Sequence, residues 1–270
     1  MARDDRDLPP APPSDAAELT ARTKGGELFA GQNLAERDFR GADLSGGIFE
    51  QCSFRGAQLA GANLTEAIFS SCNFCDADLA GADLTRATLA QCQLIDAMLA
   101  RATLVGARLL SCDLSQADLT AADLRLVNIA ECDLADVKLT GAKLERCGIV
   151  SCRTDRIDLS QVSLVNAAFL NADLTEANLT GVTLNMAVLV GAKLAQVDLS
   201  GLDLSQSNFT DADMRQVKLS GCTLDRTNFK GADLSGADLS RADGPNALFV
   251  EAKLVTANLD GAELRQALFL

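Results

Sequence analysis

The chain has 270 residues and a formal net charge of −13, and it contains no His, Trp or Tyr. Such an acidic surface disfavours direct binding to nucleic acid or to an anionic membrane, because both partners attract basic surfaces. The chain also lacks a Ser or Cys beside a base, a glycine-rich phosphate loop and a metal-ligand cluster. We therefore expect a protein that is not an enzyme and that uses no cofactor, metal or small-molecule substrate.

The first 27 residues lie outside the repeat described below. They begin MARDDRDLPPAPP, which has no apolar segment typical of a signal peptide, and no run of 18 apolar residues occurs anywhere. We therefore expect a cytoplasmic protein with no membrane span. The composition of the first dozen residues is typical of disorder. Asp15 and Glu18 have the spacing of a capping box and predict a short helix, which would either cover one end of the repeat or act as an arm that binds a partner.

A five-residue repeat fills the rest of the chain. From Phe29 onward every fifth residue is apolar except Thr154 and Gly244, with no insertion or deletion. A small residue, usually Ala, stands two positions earlier, as in the tripeptide 42–44, Ala-Asp-Leu. A period of five fits neither a helix nor a continuous strand. A turn after each short extended piece would instead point one large and one small side chain of every unit inward.

This A-(D/N)-L-x-x pattern resembles that of the pentapeptide-repeat family. The resemblance implies an all-β fold, a right-handed quadrilateral parallel β-solenoid with one pentapeptide on each side. Four units make one turn of the solenoid, so the repeat should form about 12 turns at a spacing of about 4.8 Å. The sequence thus predicts two parts, an N-terminal extension over residues 1–27 and a solenoid over residues 28–270.

The cysteines support this turn length independently. Six of them recur every 20 residues at the small inward position: Cys52, Cys72, Cys92, Cys112, Cys132 and Cys152. Buried thiols of this kind act as slightly larger alanines. The alternative is a metal or redox ladder, because thiolates bind soft metals. Cys75 occupies an outward position and is the candidate reactive thiol.

Two positions interrupt the pattern. Gly244 and Pro245 together remove an inward side chain and a backbone donor, which predicts a kink or an irregular turn. Thr154 places a hydroxyl at a central position between Arg153 and Arg156. We interpret both as tolerated irregularities and not as sites.

One of the four faces differs from the others. Immediately before its central residues, seven of 13 side chains are apolar, whereas the other three faces have only Met98 among 36 equivalent positions. These side chains could simply stack along a flat parallel ladder. An exposed apolar stripe of this length is nevertheless more than monomers usually leave uncovered, which favours an interaction surface. The candidate contact residues on this apolar face are Ile48, Ile68, Leu110, Val150, Leu170, Val188, Val190, Leu248 and Val250.

The sequence given ends inside the repeat, at Leu268, Phe269 and Leu270. Apolar atoms and unpaired strand edges would be open there unless another chain covers them. We therefore expect a homodimer that forms through the C-terminal turn.

Two functions remain. The first is a protein-interaction scaffold or adaptor for an unidentified protein partner; the cysteine-containing turns and the terminal Ala-Leu-Phe resemble pentapeptide-repeat proteins of type VI secretion clusters. The second is DNA mimicry, because the family's quinolone-resistance proteins are acidic rods that occupy the DNA-binding site of DNA gyrase. Its candidate residues are Asp38, Asp78, Asp118, Asp158, Asp198 and Asp238. Lys138 and Lys218 interrupt that column, so we prefer the scaffold.

Overall fold

The structure is a computed structural model that describes residues 11–269. Helix α1 (Ala16–Lys24) precedes a parallel β-solenoid. The expectation of disorder in the first dozen residues falls mainly on residues 1–10, which lie outside the described residues. Eight strands of three residues form one sheet in chain order. They are β1 (Leu28–Ala30), β2 (Ile48–Glu50), β3 (Ile68–Ser70), β4 (Thr88–Ala90), β5 (Arg108–Leu110), β6 (Asn128–Ala130), β7 (Gly148–Val150) and β8 (Ala168–Leu170).

Every strand pairs in parallel with the strand 20 residues later, as Phe29 pairs with Phe49. Isolated bridges repeat the same step on three further sides, beginning with Asn33 to Ser53, Asp38 to Gln58 and Asp43 to Asn63. The predicted all-β parallel solenoid with four sides is therefore confirmed. We number the sides faces 1 to 4 in chain order, so that face 1 carries β1–β8 and is the apolar face.

The continuous ladder of strands is shorter than expected. Its eight strands span about seven turns, against the about 12 turns expected from the repeat. Beyond Leu170, face 1 continues through single bridges that keep the 20-residue step as far as Leu268. Backbone hydrogen bonds also continue there, as from the Phe209 amide to the Asn228 carbonyl at 2.7 Å. The difference is thus a shorter paired stretch on each turn and not a change of step.

A left-handed residue makes almost every corner between faces; of the corner residues from Gly31 to Gln266, Glu176 is the exception. Glycine fills many corners, as at Gly41 with φ 66°, but other residues adopt the same conformation, as at Glu66 with φ 58°. This conformation turns the chain sharply towards the next face, and glycine adopts it without a steric cost. The five-residue period therefore reflects one corner in each unit.

The core consists of the central residues and the small residues two positions before them. Leu34, Leu64 and Ala62 show no exposed surface, and the same holds along most of the rod. The Phe29, Phe49 and Phe69 rings stack on face 1 with centroids 4.8 Å and 5.1 Å apart. A second stack lies farther along the same face and contains Phe209, Phe229, Phe249 and Phe269. Each buried Leu or Phe contributes about 1.5–3 kcal/mol, so the core is the main source of stability.

Helix α1 lies against the N-terminal turn. Its N-cap is Asp15, whose side chain accepts a hydrogen bond from the Glu18 amide at 2.9 Å. Glu18 in turn accepts a hydrogen bond from the Ser14 amide at 2.8 Å. Leu19 is fully buried and belongs to the same hydrophobic core as the solenoid. The helix therefore covers the end of the core at this turn.

The inward positions of the first turn carry long polar side chains where Ala or Cys stands later. They are Glu27, Gln32 and Arg37. The Arg22 Nε donates to Glu27 at 2.6 Å, and Arg37 donates to the Pro13 carbonyl. Glu27 and Arg37 therefore bind the segment that precedes the solenoid.

The expected kink at Gly244 and Pro245 is wrong. The Gly244 amide donates to the Glu263 carbonyl at 2.9 Å, and the Pro245 carbonyl accepts from the Arg226 amide at 3.0 Å. Elsewhere, the amide at the position of Pro245 bonds only a preceding Asp or Asn side chain, as the Thr85 amide bonds Asp83. Proline at this position therefore removes no bond between turns. A Cβ atom added at Gly244 would lie only 2.9 Å from the Leu264 side chain. Leu264 therefore occupies most of the space that a side chain at position 244 would fill.

The ladder has one discontinuity. Within residues 11–269, every outward residue of faces 2 to 4 pairs with its counterpart 20 residues away except at three places. The absent pairs are Arg153 with Asp173 on face 2, Asn178 with Asp198 on face 3, and Thr183 with Asp203 on face 4. The absent pair on face 2 lies one turn before the two on faces 3 and 4, and we call the stretch that contains all three the seam. Face 1 is continuous across it, through Ala168 to Val188 and Val188 to Asn208.

Candidate protein-interaction surfaces

Most outward Asp and Asn side chains are engaged in local turns. Their Oδ1 atoms accept the backbone amide two residues later, as in Ser45 to Asp43 at 3.1 Å and Thr120 to Asp118 at 2.9 Å. These side chains therefore stabilise the turns between faces. Any interaction surface must be sought among outward side chains that have no such role.

The apolar face is unevenly exposed. Ile48 and Ile68 are each 41% exposed and Leu110 is 48% exposed, and Leu28 at the start of the same column is exposed as well. The other candidates are only half-buried: Val150, Leu170, Val188, Val190, Leu248 and Val250. The ladder brings all of them onto face 1. Among these candidates the three more exposed side chains, Ile48, Ile68 and Leu110, lie in the half of the rod nearer helix α1.

A second set of exposed apolar side chains lies at the corner between faces 4 and 1. Leu126 is 54% exposed and Met186 is also exposed, and both have left-handed backbones, with φ 62° and 60°. This corner position does not flank a central residue, so the pattern of flanking residues did not indicate it. A count of the fifth residue of every unit would have found them, because Gly and polar residues otherwise dominate this corner.

The last described turn is open. Leu268 is 48% exposed and Phe269 is 49% exposed, while Leu270 lies outside the described residues. Leu259, a central residue, is also exposed there. Among residues 11–269 the amides of Leu254, Leu259 and Leu264 have no backbone acceptor, whereas the Leu239 amide one turn earlier bonds Asn258 at 2.8 Å.

The acidic column on face 3 is partly neutralised. Asp38 accepts from Arg40 at 2.9 Å, and Asp198 lies 3.1 Å from the Lys218 Nζ. Hydrogen bonds from the Arg40 side chain hold the pKa of Asp38 at about 2. Asp158 accepts from Thr140, and Asp238 accepts from Asn258. Asp78 and Asp118 complete the column, and each accepts the amide two residues later.

The cysteine column is buried. Its six members are 1% to 7% exposed, and their thiols donate to backbone carbonyls, as Cys52 does to the Phe29 carbonyl at 3.4 Å. Burial raises the pKa of Cys147 to about 12 and that of Cys222 to about 11. Cys75 is half-buried, and burial raises its pKa too, which lowers its reactivity. In the described part of the chain, no group of three or more His, Cys, Asp or Glu is arranged to hold a metal.

Thr154 is fully buried, and its hydroxyl donates to the Asp173 carbonyl at 2.8 Å. The hydroxyl is thus satisfied inside the core. In residues 11–269, no helix has the length and apolar character needed to cross a membrane.

Comparison with known proteins agrees with this fold. A model described as pentapeptide repeats matches residues 38–76, 77–116, 112–147 and 227–266, and one described as a pentapeptide repeat region matches residues 152–229. No curated relative matches the chain significantly. Together the two family models cover most of the repeat.

Solved structures with some likeness include pentapeptide-repeat proteins. HetL of the cyanobacterium Nostoc, involved in heterocyst differentiation regulation, is 26% identical over 93% of each chain, with a TM-score of 0.28. A trypsin-treated form of QnrB1, a plasmid-mediated fluoroquinolone resistance protein, is 18% identical over 66% of this chain and 88% of its own, with a TM-score of 0.44. The chain belongs to the pentapeptide-repeat family.

Proposed function

We propose that this protein is a non-enzymatic interaction scaffold or adaptor that binds a protein partner through its apolar face. Proteins of the family generally have structural or interaction roles. The observation that carries the proposal is the column formed by Leu28, Ile48 and Ile68. These residues pair directly with one another along the ladder and yet stay exposed.

Ladder stacking alone does not account for this column. Stacking already covers one flank of each side chain, and the exposed fractions are those that remain afterwards. A contiguous apolar patch on a protein surface usually marks a site of association. Glu50, next to the column, is exposed and charged, so the patch has part of a polar rim. An apolar centre with a polar rim is the usual anatomy of a protein interface.

The last described turn supports a second contact, a homodimer of the solenoid. Its open central residues and unpaired amides match those of a second copy, because the same edge presents the same groups. Pairing two such edges would cover Leu268 and Phe269 and supply acceptors to the free amides. The homodimer and the partner surface therefore occupy different parts of the rod.

Two narrower assignments belong to this proposal or compete with it. A place in a type VI secretion assembly is compatible with a scaffold and rests only on the repeat rhythm of the sequence. DNA mimicry of the kind that blocks gyrase needs a dense row of free carboxylates. The pairing of Asp38 with Arg40 and of Asp198 with Lys218 weakens that row, so the scaffold is favoured.

Photo-crosslinking tests the apolar face in living cells. Benzoylphenylalanine replaces Ile48 in one variant and Gln58, an exposed residue of the same turn on face 3, in a matched control. We expect a discrete adduct from position 48 and none from position 58. The recovered partner should then bind the purified Ile48→Ser/Ile68→Ser protein at least about tenfold more weakly than the original chain. Adducts of equal yield from both positions would contradict the proposal.

Light scattering tests the homodimer separately. The Leu268→Ser/Phe269→Ser variant should have half the mass of the unmodified protein, whereas Ile48→Ser/Ile68→Ser should keep the dimer mass. A monomer in every case would contradict the C-terminal contact and would not affect the proposal for the apolar face.

A gyrase supercoiling assay with excess protein distinguishes DNA mimicry from the scaffold, because a scaffold should leave the activity of gyrase unchanged.

A further inference from the structure

The seam divides the rod into two lengths that are joined by face 1. The absent pair on face 2 lies one turn before the absent pairs on faces 3 and 4. At the later level face 2 is bridged, through Asp173 to Lys193. On face 1 the amide of Phe169 donates to Val188 at 2.8 Å and that of Asn171 donates to Val190 at 3.0 Å. Face 1 is therefore linked at both levels of the seam, whereas each of the other three faces is unlinked at one of them.

The backbone groups beside the seam lack their usual partners. Among residues 11–269 the amides of Leu179, Gly181 and Leu184 have no backbone acceptor, and the same holds for the central amides of Leu144 and Thr154 in the preceding turns. The Leu199 amide, one turn after Leu179, again donates to Lys218 at 2.9 Å. The loss of these hydrogen bonds is therefore concentrated at the seam and in the turns just before it.

Burial shows the same opening independently. Ala177, Leu179, Val197 and Leu202 point inward but are only partly buried. Every other central or small inward residue from Phe39 to Phe249 is buried. These four residues lie on the two sides of the seam, on faces 3 and 4. The turns are therefore farther apart there than hydrogen bonding and close packing require.

Thr154 lies beside the seam on face 2. At this level the backbone pair between Arg153 and Asp173 is absent, and the Thr154 hydroxyl instead contacts the Asp173 carbonyl. A polar central residue thus coincides with the place where the ladder fails. The irregularity seen in the sequence has a structural counterpart.

We propose that the seam is a hinge, at which the rod bends by opening faces 2 to 4 while face 1 serves as the pivot. The two lengths on either side keep complete ladders and move as rigid bodies. Because the pivot is the apolar face, bending changes the angle between its proximal part, with Ile48 and Ile68, and its distal part, with Leu248. If the proposed function holds, the hinge adjusts the curvature of the surface that meets the partner.

Distances between spin labels test the hinge directly, in a Cys75→Ser background that removes the half-buried thiol. Thr140→Cys/Ser240→Cys places labels on face 3 on opposite sides of the seam. Ala60→Cys/Ser160→Cys places them on the same face within one length. Both pairs are five turns, or about 24 Å, apart. We expect a distance distribution about twice as broad for the pair that spans the seam. Equal widths would overturn the hinge.

Hydrogen exchange of the unmodified protein provides a second measurement that needs no substitution. Amides in residues 177–184 and 198–203 should exchange at least about tenfold faster than those in residues 217–224, which have the same positions in an intact turn. Equal protection would contradict the hinge. Neither measurement involves a partner, so a failed hinge is distinguishable from a failed apolar-face contact.

Discussion

The two ends of the rod are built from the same repeat but finish differently. At the N-terminal turn the inward residues are polar, and Arg22 of helix α1 binds Glu27 while Leu19 enters the core. At the last described turn the inward residues are the usual alanines, such as Ala257, and the central Leu259 is exposed. A turn of a solenoid gains stability from whatever lies against each of its two sides.

The residue type at an inward position therefore depends on what lies next to that turn. A small residue is suited to another turn, because a short side chain lets the central Leu or Phe of the neighbouring units fill the interior. A long polar residue such as Arg37 is suited to a non-repetitive segment with free carbonyls. The closed end can therefore be recognised from its inward side chains.

The largest expected difference between the ends concerns the two aromatic stacks of face 1. Phe49 is fully buried between Phe29 and Phe69, so Phe49→Ala should lower the free energy of unfolding by about 3–5 kcal/mol. Phe269 stacks only on Phe249 and is half-exposed, so Phe269→Ala should lower it by less than about 1 kcal/mol. Urea unfolding followed by circular dichroism measures both. Similar losses would show that the last turn is as well covered as the first.

Removal of the cap contact should have the next largest effect. Leu19→Ala leaves a cavity beneath helix α1 and should lower the free energy of unfolding by about 2–4 kcal/mol. Ala17→Ser, on the exposed side of the same helix, is the matched control and should change it by less than about 0.5 kcal/mol. If both variants melt alike, the helix does not contribute to closing the rod.

The N-cap of the helix should contribute less. Asp15→Ala removes the acceptor of the Glu18 amide and should lower the free energy of unfolding by about 1 kcal/mol. Asp15→Asn keeps an acceptor at the same place and should preserve most of the stability. Thermal melting of the two variants side by side measures the difference, and equal destabilisation would mean that charge and not capping is responsible.

Acid should weaken the closed end by the smallest amount. The Arg22 side chain lowers the pKa of Glu27, and the Lys24 side chain lowers the pKa of Asp43. Because these folded-state pKa values lie below the unfolded values near 4, the stabilisation is complete above about pH 4 and is lost as the pH falls through the lowered values. Melting temperatures between pH 7 and pH 2 should therefore fall more steeply below pH 4 in the unmodified chain than in Arg22→Gln/Lys24→Gln. Identical profiles would exclude this contribution.

The five-residue period was sufficient to predict the core, because every unit places one large residue such as Leu64 at the axis. It was insufficient at Gly244 and Pro245, where the kink was wrong. That position donates no bond between turns, a fact that depends on the corner geometry and not on residue type. The exposure of the apolar face also could not be graded, because Ile68 and Val188 occupy equivalent positions but differ in how far stacking covers them.

The seam shows a different limit. Leu179 and Asp198 fit the consensus as well as their neighbours do, so only Thr154 indicated an irregularity in this part of the chain. Whether two turns remain in contact depends on the sum of many weak pairings around four faces. The residue pattern of single pentapeptides therefore does not predict where the pairing between neighbouring turns fails.

The buried thiols, in the column and at Cys222, can report where the rod unfolds first. Alkylating reagents reach such sulfurs only after the turns around them separate. Pulses of reagent at different times of unfolding, followed by mass spectrometry, would therefore give the time at which each cysteine becomes accessible. Cys52 lies near the closed end, Cys152 beside the seam and Cys222 nearest the open end, and all are free. The order in which they become labelled would show whether the rod frays from one end or breaks in the middle.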